Sequence, residues 1–205
     1  MRLIGMLDSP YVRRVAVSLR FLGLPFSHDP ISVFSQYDRF AGINPVVKAP
    51  TLVTDDGVTL LDSTLILDYL DRRVSPDLSL YPGDLGDFAR GQRFIGVALA
   101  ACEKTVQMVY EFNLRPVEKQ HQPWIDRVRG QLLAAYKLLD AEVGRGDSWL
   151  FGIRPLQADI TVAVAWRFTQ GVLADVVKAS DYPVLTAFSA RAEELPEFKD
   201  FPFPA

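Results

Sequence analysis

Residues 2–31 read RLIGMLDSPYVRRVAVSLRFLGLPFSHDPI, and this stretch decides the fold. Arg2 to Leu7 is a short apolar run. Ser9-Pro10 follows as a capping residue and the proline that suits the first position of a helix. Val12, Val15, Ala16, Leu19 and Leu22 then recur at helical spacing, and Gly23 stands where a left-handed C-terminal cap is needed. Phe26 to Ile31 can form a second strand, parallel to the first because a helix intervenes. The spacing predicts one βαβ unit with its helix over about Pro10 to Leu22.

Downstream, Ser32 to Asn44 is polar and irregular, and Pro45 and Pro50 bracket Val46 to Ala49. Thr51 to Thr54 reads as a strand, Asp55-Asp56-Gly57 as a tight turn, and Thr59 to Leu61 as the antiparallel partner strand. Asp62-Ser63 then caps a helix carrying Leu65, Ile66, Tyr69 and Leu70. A βαβ unit followed by ββα is the thioredoxin-like order. From Ser75 to Asp87 proline, glycine and aspartate displace apolar periodicity. Beyond it, helical patterns run over Phe88 to Phe112, Pro123 to Val143, Ala158 to Val172 and Pro183 to Glu194. The expected architecture is α/β plus all-α: a thioredoxin-like domain over 1–78, a linker over 79–86 and an all-helical domain over 87–205.

Composition narrows the function classes. In 205 residues, 22 Lys+Arg against 25 Asp+Glu leave a net charge of -3, which disfavours nucleic acid as a partner. The longest uncharged apolar run, Phe94 to Cys102, is far short of the roughly 20 residues that cross a bilayer. The N-terminal run is too short for a secretory signal. One cysteine, Cys102, forms no internal disulfide and no structural zinc site, so a reducing, cytoplasmic setting is expected without membrane association. Its apolar helical surroundings mark it as a buried structural thiol. His28 and His121 lack ligand spacing and read as surface histidines; no metal site is expected. Arg13 and Arg14 read as a solvated helix face or as dimer contacts. Met108, Tyr110 and Phe112 read as core packing.

Three places can carry chemistry. Ser9 joins a strand end to a helix start, where an open sheet binds ligands, and its hydroxyl could donate to an anion such as a thiolate at the positive helix end. The same spacing serves a plain helix cap. Pro50 precedes a strand. A cis bond there would turn the Ala49 backbone outward toward an extended peptide, although a trans bond is the commoner state. Asp62-Ser63 sets a carboxylate beside a hydroxyl at a helix start, able to hold an α-ammonium and an α-carboxylate or to cap the helix.

These segments, in this order, resemble the soluble glutathione transferase superfamily, in its serine-type bacterial cytosolic class. Ser9-Pro10-Tyr11-Val12-Arg13-Arg14-Val15 resembles the active-site turn of the serine-type classes. Asn44-Pro45-Val46-Val47-Lys48-Ala49-Pro50-Thr51-Leu52 resembles a segment whose second proline is cis, with Val47 in place of glycine and Ala49 in place of valine. Leu61 to Leu70 is similar to the segment that binds the γ-glutamyl end of glutathione. The resemblance implies glutathione as co-substrate and a pocket for a small electrophile formed against the helical domain. It gives Ser9 the stabilisation of the thiolate, with Tyr11 a rival for that hydroxyl role that helical geometry places rather to line the electrophile pocket or pack. Ala49 gains backbone pairing with the cysteinyl residue, Asp62 and Ser63 the γ-glutamyl end, Lys48 a further contact, and Pro50 a structural cis bond. It implies a transferase that acts as a homodimer. A non-catalytic interaction module or a ligandin-type carrier is the alternative the same fold allows. In the helical domain Leu150-Phe151-Gly152 and Ala158-Asp159-Ile160 resemble the family's helix-capping region, but Leu156 stands where Ser or Thr would cap. On the sequence, Leu156→Ser is expected to stabilise the protein.

Overall fold

The computed structural model describes residues 1–144 and 148–204, so residues 145–147 and 205 of the expected helical domain lie outside the described residues. The chain divides into two compact units, Met1–Leu80 with Glu194–Ala205, and Tyr81–Glu193.

The first unit is built on a four-stranded sheet of order β2-β1-β3-β4. β1 (Arg2–Ile4) pairs in parallel with β2 (Ser27–Asp29) and antiparallel with β3 (Thr51–Val53), which pairs antiparallel with β4 (Thr59–Leu61). This is the expected βαβ-ββα arrangement, with strands shorter than the apolar runs suggested. β1 stops at Ile4 because Gly5 takes φ +136 and a Cβ there would lie 2.6 Å from Val12 Cγ2. A side chain at position 5 meets both strain and a collision.

α1 (Pro10–Phe21) ends in a Schellman turn: Leu24 N donates to Leu19 O and Gly23 N to Arg20 O, with Gly23 at φ +64. The polar stretch 32–44 contains a short helix, α2 (Tyr37–Ala41), which the sequence pattern did not announce; Phe40 buries it against Ile4 and Ile31. α3 (Ser63–Asp71) follows β4 directly and packs on α1. At its far end Asp71 accepts from Ser79 Oγ at 2.8 Å and Leu80 N at 2.9 Å, so residues 79 and 80, expected in the linker, are tied into the first unit.

Arg13 and Arg14 are not a solvated face. Each is about 1% exposed, because α1 is covered on more sides than its apolar stripe. The C-terminal segment lies over Arg13: Arg13 Nε donates to Phe201 O at 2.8 Å, and its guanidinium stands 5.6 Å from the Phe198 ring centroid. Phe198 also meets Phe21, Phe201 meets Phe26, and Asp200 pairs with Arg20 at 2.7 Å. Apolar rings and a cation on α1 thus draw residues 194–204, with the small helix α8 (Pro196–Lys199), onto the first unit rather than the helical one. The buried Arg14 guanidinium faces the start of α3.

The second unit is helical. It holds α4 (Leu85–Leu114), α5 (Gln122–Glu142), α6 (Gln157–Val172) and α7 (Pro183–Glu193), with α4 against α5 and α6, and α7 against α5 and α6. Asp84 caps α4 through Asp87 N at 3.0 Å. Cys102 is buried, as read, and so is Met108, whereas Tyr110 and Phe112 are partly exposed. His28 is half-buried rather than on the surface; its Nε2 donates to Gly5 O at 2.8 Å.

At the start of α6, Asp159 Oδ2 accepts from Leu156 N and Oδ1 from Leu150 N, each at 2.9 Å. This is half of a capping box, since a leucine side chain has no acceptor to return. The Leu156 side chain is itself buried, at 8% exposure. Serine would return about 1 kcal/mol as a cap but would forfeit about 1.5–3 kcal/mol of apolar burial. The expected sign of Leu156→Ser is therefore reversed: the substitution destabilises.

Burial pushes the Asp159 carboxyl up from 3.8 to about 6, against the opposing pull of the backbone amides it accepts from. Between those values the folded protein holds a proton that the unfolded chain has released, so stability falls as pH rises through this window. The stability advantage of wild type over Asp159→Asn should shrink by about 2 kcal/mol between pH 4 and 6. Urea unfolding at a series of pH values would read this, and an advantage that grows with pH would contradict it.

Candidate functional site

The register gathers the three chemistry-bearing segments. Ile4 pairs with Thr51, and Thr51 with Leu61, so one row of the sheet holds the last residue of β1, the first of β3 and the last of β4. The chain leaves that row through Gly5 to Ser9, enters it through Lys48 to Pro50, and leaves it again through Asp62-Ser63. All three segments therefore lie at one end of the sheet. Gly5 and Ala49 are in close approach: a Cβ on Gly5 would be 3.1 Å from Ala49 Cβ. Lys48 Nζ and Asp62 Oδ2 are 3.7 Å apart, a half-exposed pair with little to contribute to stability.

Ser9 is the N-cap of α1, half-buried, with φ -74 and ψ 121. Its Oγ accepts from Val12 N at 3.4 Å, a long bond that occupies one lone pair and leaves the hydroxyl proton to be donated. Ser9 stands at the positive end of α1, and no acidic residue in the first turn offsets that field.

The 44–51 loop is held by its own polar network. Asn44 Oδ1 accepts from Val46 N at 3.0 Å, Asn44 Nδ2 donates to Thr51 Oγ1 at 2.8 Å, and Thr51 Oγ1 donates to Lys48 O at 2.8 Å. Asn44 and Thr51 are buried. Ala49–Pro50 is cis, the state the residues by themselves did not favour and the resemblance implied. Val47, at the position where the motif carries glycine, sits at φ +51. A β-branched residue there costs about 1–2 kcal/mol. The opposing gain is that the Val47 side chain packs on the cluster of Ile4, Ile31 and Phe40.

Asp62 adopts φ +71 as the N-cap of α3, and its Oδ1 accepts from Thr64 N at 2.9 Å. Ser63 is buried, and its Oγ accepts from Arg14 Nη1 at 3.2 Å; Thr64 Oγ1 accepts from the same nitrogen at 3.4 Å. A carboxylate beside a hydroxyl and two free amides at a helix start can hold the two charged groups of an amino-acid end. Among the described residues no group of three His, Cys, Asp or Glu could hold a metal ion, and no helix is long and apolar enough to cross a membrane.

Every residue singled out from the sequence, Ser9, Lys48, Ala49, Pro50, Asp62 and Ser63, belongs to this end of the sheet. Sequence reading missed Arg14, Thr51 and Gly5. Arg14 carried no signal, because the charge pattern of α1 pointed it outward. Thr51 lay inside the motif without a role, and Gly5 was unremarked within an apolar run.

Comparison with known proteins matches the glutathione S-transferase N-terminal domain over residues 3–77 and the C-terminal domain over residues 122–191. Maleylacetoacetate isomerase of Pseudomonas aeruginosa is 30% identical over 158 residues, covering 72% of this chain and 71% of the relative. A glutathione S-transferase of Methylobacterium radiotolerans, solved with glutathione sulfonate, superposes with a TM-score of 0.90 at 26% identity, over 100% of this chain and 95% of the other. A glutathione transferase family member from Pseudomonas fluorescens with bound glutathione gives 0.84 at 27% identity, over 100% and 99%.

The loop network yields its own test. Thr51→Val keeps the shape but leaves Asn44 Nδ2 and Lys48 O without this partner, and the cost should be about 1–3 kcal/mol. Urea denaturation of wild type and variant measures it; an unchanged midpoint would remove the network from the account.

Proposed function

The chain belongs to the glutathione S-transferase family, and from that premise we propose that it binds glutathione at the end of the sheet described above and activates its thiol for attack on a small electrophile. The observation that carries this reading is the row Ile4–Thr51–Leu61, which supports a single site made from Ser9, the Lys48–Pro50 segment and Asp62-Ser63. An extended tripeptide has parts for each. Its γ-glutamyl ammonium faces the Asp62 carboxylate, and its α-carboxylate faces the Ser63 hydroxyl and the amides of α3. Its cysteinyl backbone pairs with Ala49, and its sulfur faces Ser9. Lys48 adds a cation beside Asp62.

The chemistry asked of Ser9 is modest. Lowering the thiol pKa by about two units needs roughly 2.7 kcal/mol of extra interaction with the thiolate. A hydroxyl donor and a helix terminus together supply that order of magnitude. The thiol proton passes to solvent, the thiolate sulfur forms a bond to the electrophilic carbon, and the leaving group departs with the electron pair of the bond it breaks. The nucleophile is the co-substrate's sulfur. Cys102, buried in the helical unit, takes no part.

The isomerase relative favours a second reading of the same thiolate. Addition to an activated double bond, rotation and elimination would return glutathione unchanged. Either reaction needs its co-substrate reduced, so we place the enzyme in the cytoplasm, a setting the single buried cysteine fits. We infer a homodimer, with a sedimentation mass about twice the 22.9 kDa of one chain; a mass of one chain would overturn that inference.

The central experiment is calorimetric binding of glutathione with conjugation of a chlorinated dinitrobenzene by wild type and Ser9→Ala. The variant should retain affinity and lose on the order of 10²-fold in turnover, the factor that two units of thiol pKa convey near neutral pH. Absence of glutathione binding to wild type would sink the enzyme reading, and unaltered turnover in the variant would remove Ser9 from its role.

A further inference from the structure

The geometry points to Arg14 as a positioning residue of the γ-glutamyl subsite, which sets the direction of the Ser63 hydroxyl; this rests on the reading of Ser63 given above. Arg14 is about 1% exposed, and its Nη1 is directed at two hydroxyls of the first turn of α3, Ser63 Oγ at 3.2 Å and Thr64 Oγ1 at 3.4 Å. A guanidinium only donates. Ser63 must therefore receive it on a lone pair, and its own proton must point elsewhere. Among the described residues that proton has no acceptor, although the hydroxyl is buried, with Ser63 4% exposed.

The arrangement is therefore a donor waiting for an acceptor. The guanidinium excludes the hydroxyl rotamer that would turn its proton inward and polarises the O–H through a charge-assisted bond. It also adds a buried positive charge behind the start of α3, where the field already favours an anion. An incoming carboxylate meets an oriented O–H and the amides of the helix start, without contacting Arg14. The proposed ligand group is the α-carboxylate of the γ-glutamyl residue. A buried neutral residue at 14 would leave Ser63 free to rotate, and the carboxylate would lose both the orientation and the field.

The test uses cysteinylglycine, which lacks the γ-glutamyl residue, as an alternative co-substrate. The ratio of kcat/KM with glutathione to kcat/KM with cysteinylglycine reads the γ-glutamyl contribution alone. It should fall in Ser63→Ala, and by on the order of ten-fold in Arg14→Met, the usual effect of losing a hydrogen bond to a charged group. The double variant should fall by clearly less than the product of the two single losses, because the orienting part of the Arg14 effect passes through the Ser63 hydroxyl. Arg14→Lys keeps the charge and loses the fork, and should give an intermediate ratio; it also serves if Arg14→Met does not fold.

Equal losses with both co-substrates in the Arg14 variants would mean a purely structural residue and would overturn the proposal. So would multiplicative losses in the double variant. A ratio unchanged in Ser63→Ala would instead overturn the γ-glutamyl reading of that serine, whatever Arg14 does.

Discussion

The pairing of β3 between β1 and β4 constrains everything at the site. Because side chains alternate along a strand, a one-residue slip in either pairing would turn Thr51 from the interior and separate the row Ile4–Thr51–Leu61. Buried Leu3, Ile4 and Leu52 oppose such a slip from the core side. Thr51 adds a polar lock, since its hydroxyl joins Asn44 to Lys48 O and so ties the loop before β3 to the strand itself. Gly5 completes the constraint, because only a residue without Cβ lets α1 and Ala49 come this close to the end of β1.

Polar groups buried in the two units serve different ends. In the helical unit Asp159 holds the amides of Leu150 and Leu156, and Tyr136 donates to Ala165 O at 3.0 Å beside Thr169. Burial raises the pKa of both. Neither lies in the unit that carries the site, so in this protein strong perturbation marks structural anchors. The candidate site is assembled from a hydroxyl, backbone amides, a carboxylate and helix ends. The titration that matters is that of the thiol of glutathione.

Much of this was legible in the sequence because it is written in local chemistry. Ser9-Pro10 and Gly23 bound α1, Asp55-Asp56-Gly57 turns the hairpin, and Asp62 starts α3. Each is a rule about backbone geometry satisfied within a few residues. The resemblance added what local chemistry could not, above all the cis bond at Pro50. α2 escaped notice because a five-residue helix held by one buried ring, Phe40, has too few turns to show a period. The arginines of α1 were misread because periodicity reports the apolar stripe of a helix, whereas burial depends on what covers the other faces. Leu156 was misread for the same reason: a missing cap is visible in sequence, and a buried side chain is not.

The sequence by itself determined the order βαβ-ββα followed by long helices, and it singled out the residues proposed to bind a peptide end. Those properties follow from interactions between near neighbours along the chain. Tertiary structure alone decided that Arg14 stands behind Ser63 and that residues 194–204 return to cover α1. It also decided that Asn44 and Thr51 lock the loop between them and that position 5 must be glycine. Arg14 and Ser63 are 49 residues apart, and Arg13 and Phe201 are 188 apart. Contacts across such separations depend on the strand register and on how helices pack, and no local pattern encodes either.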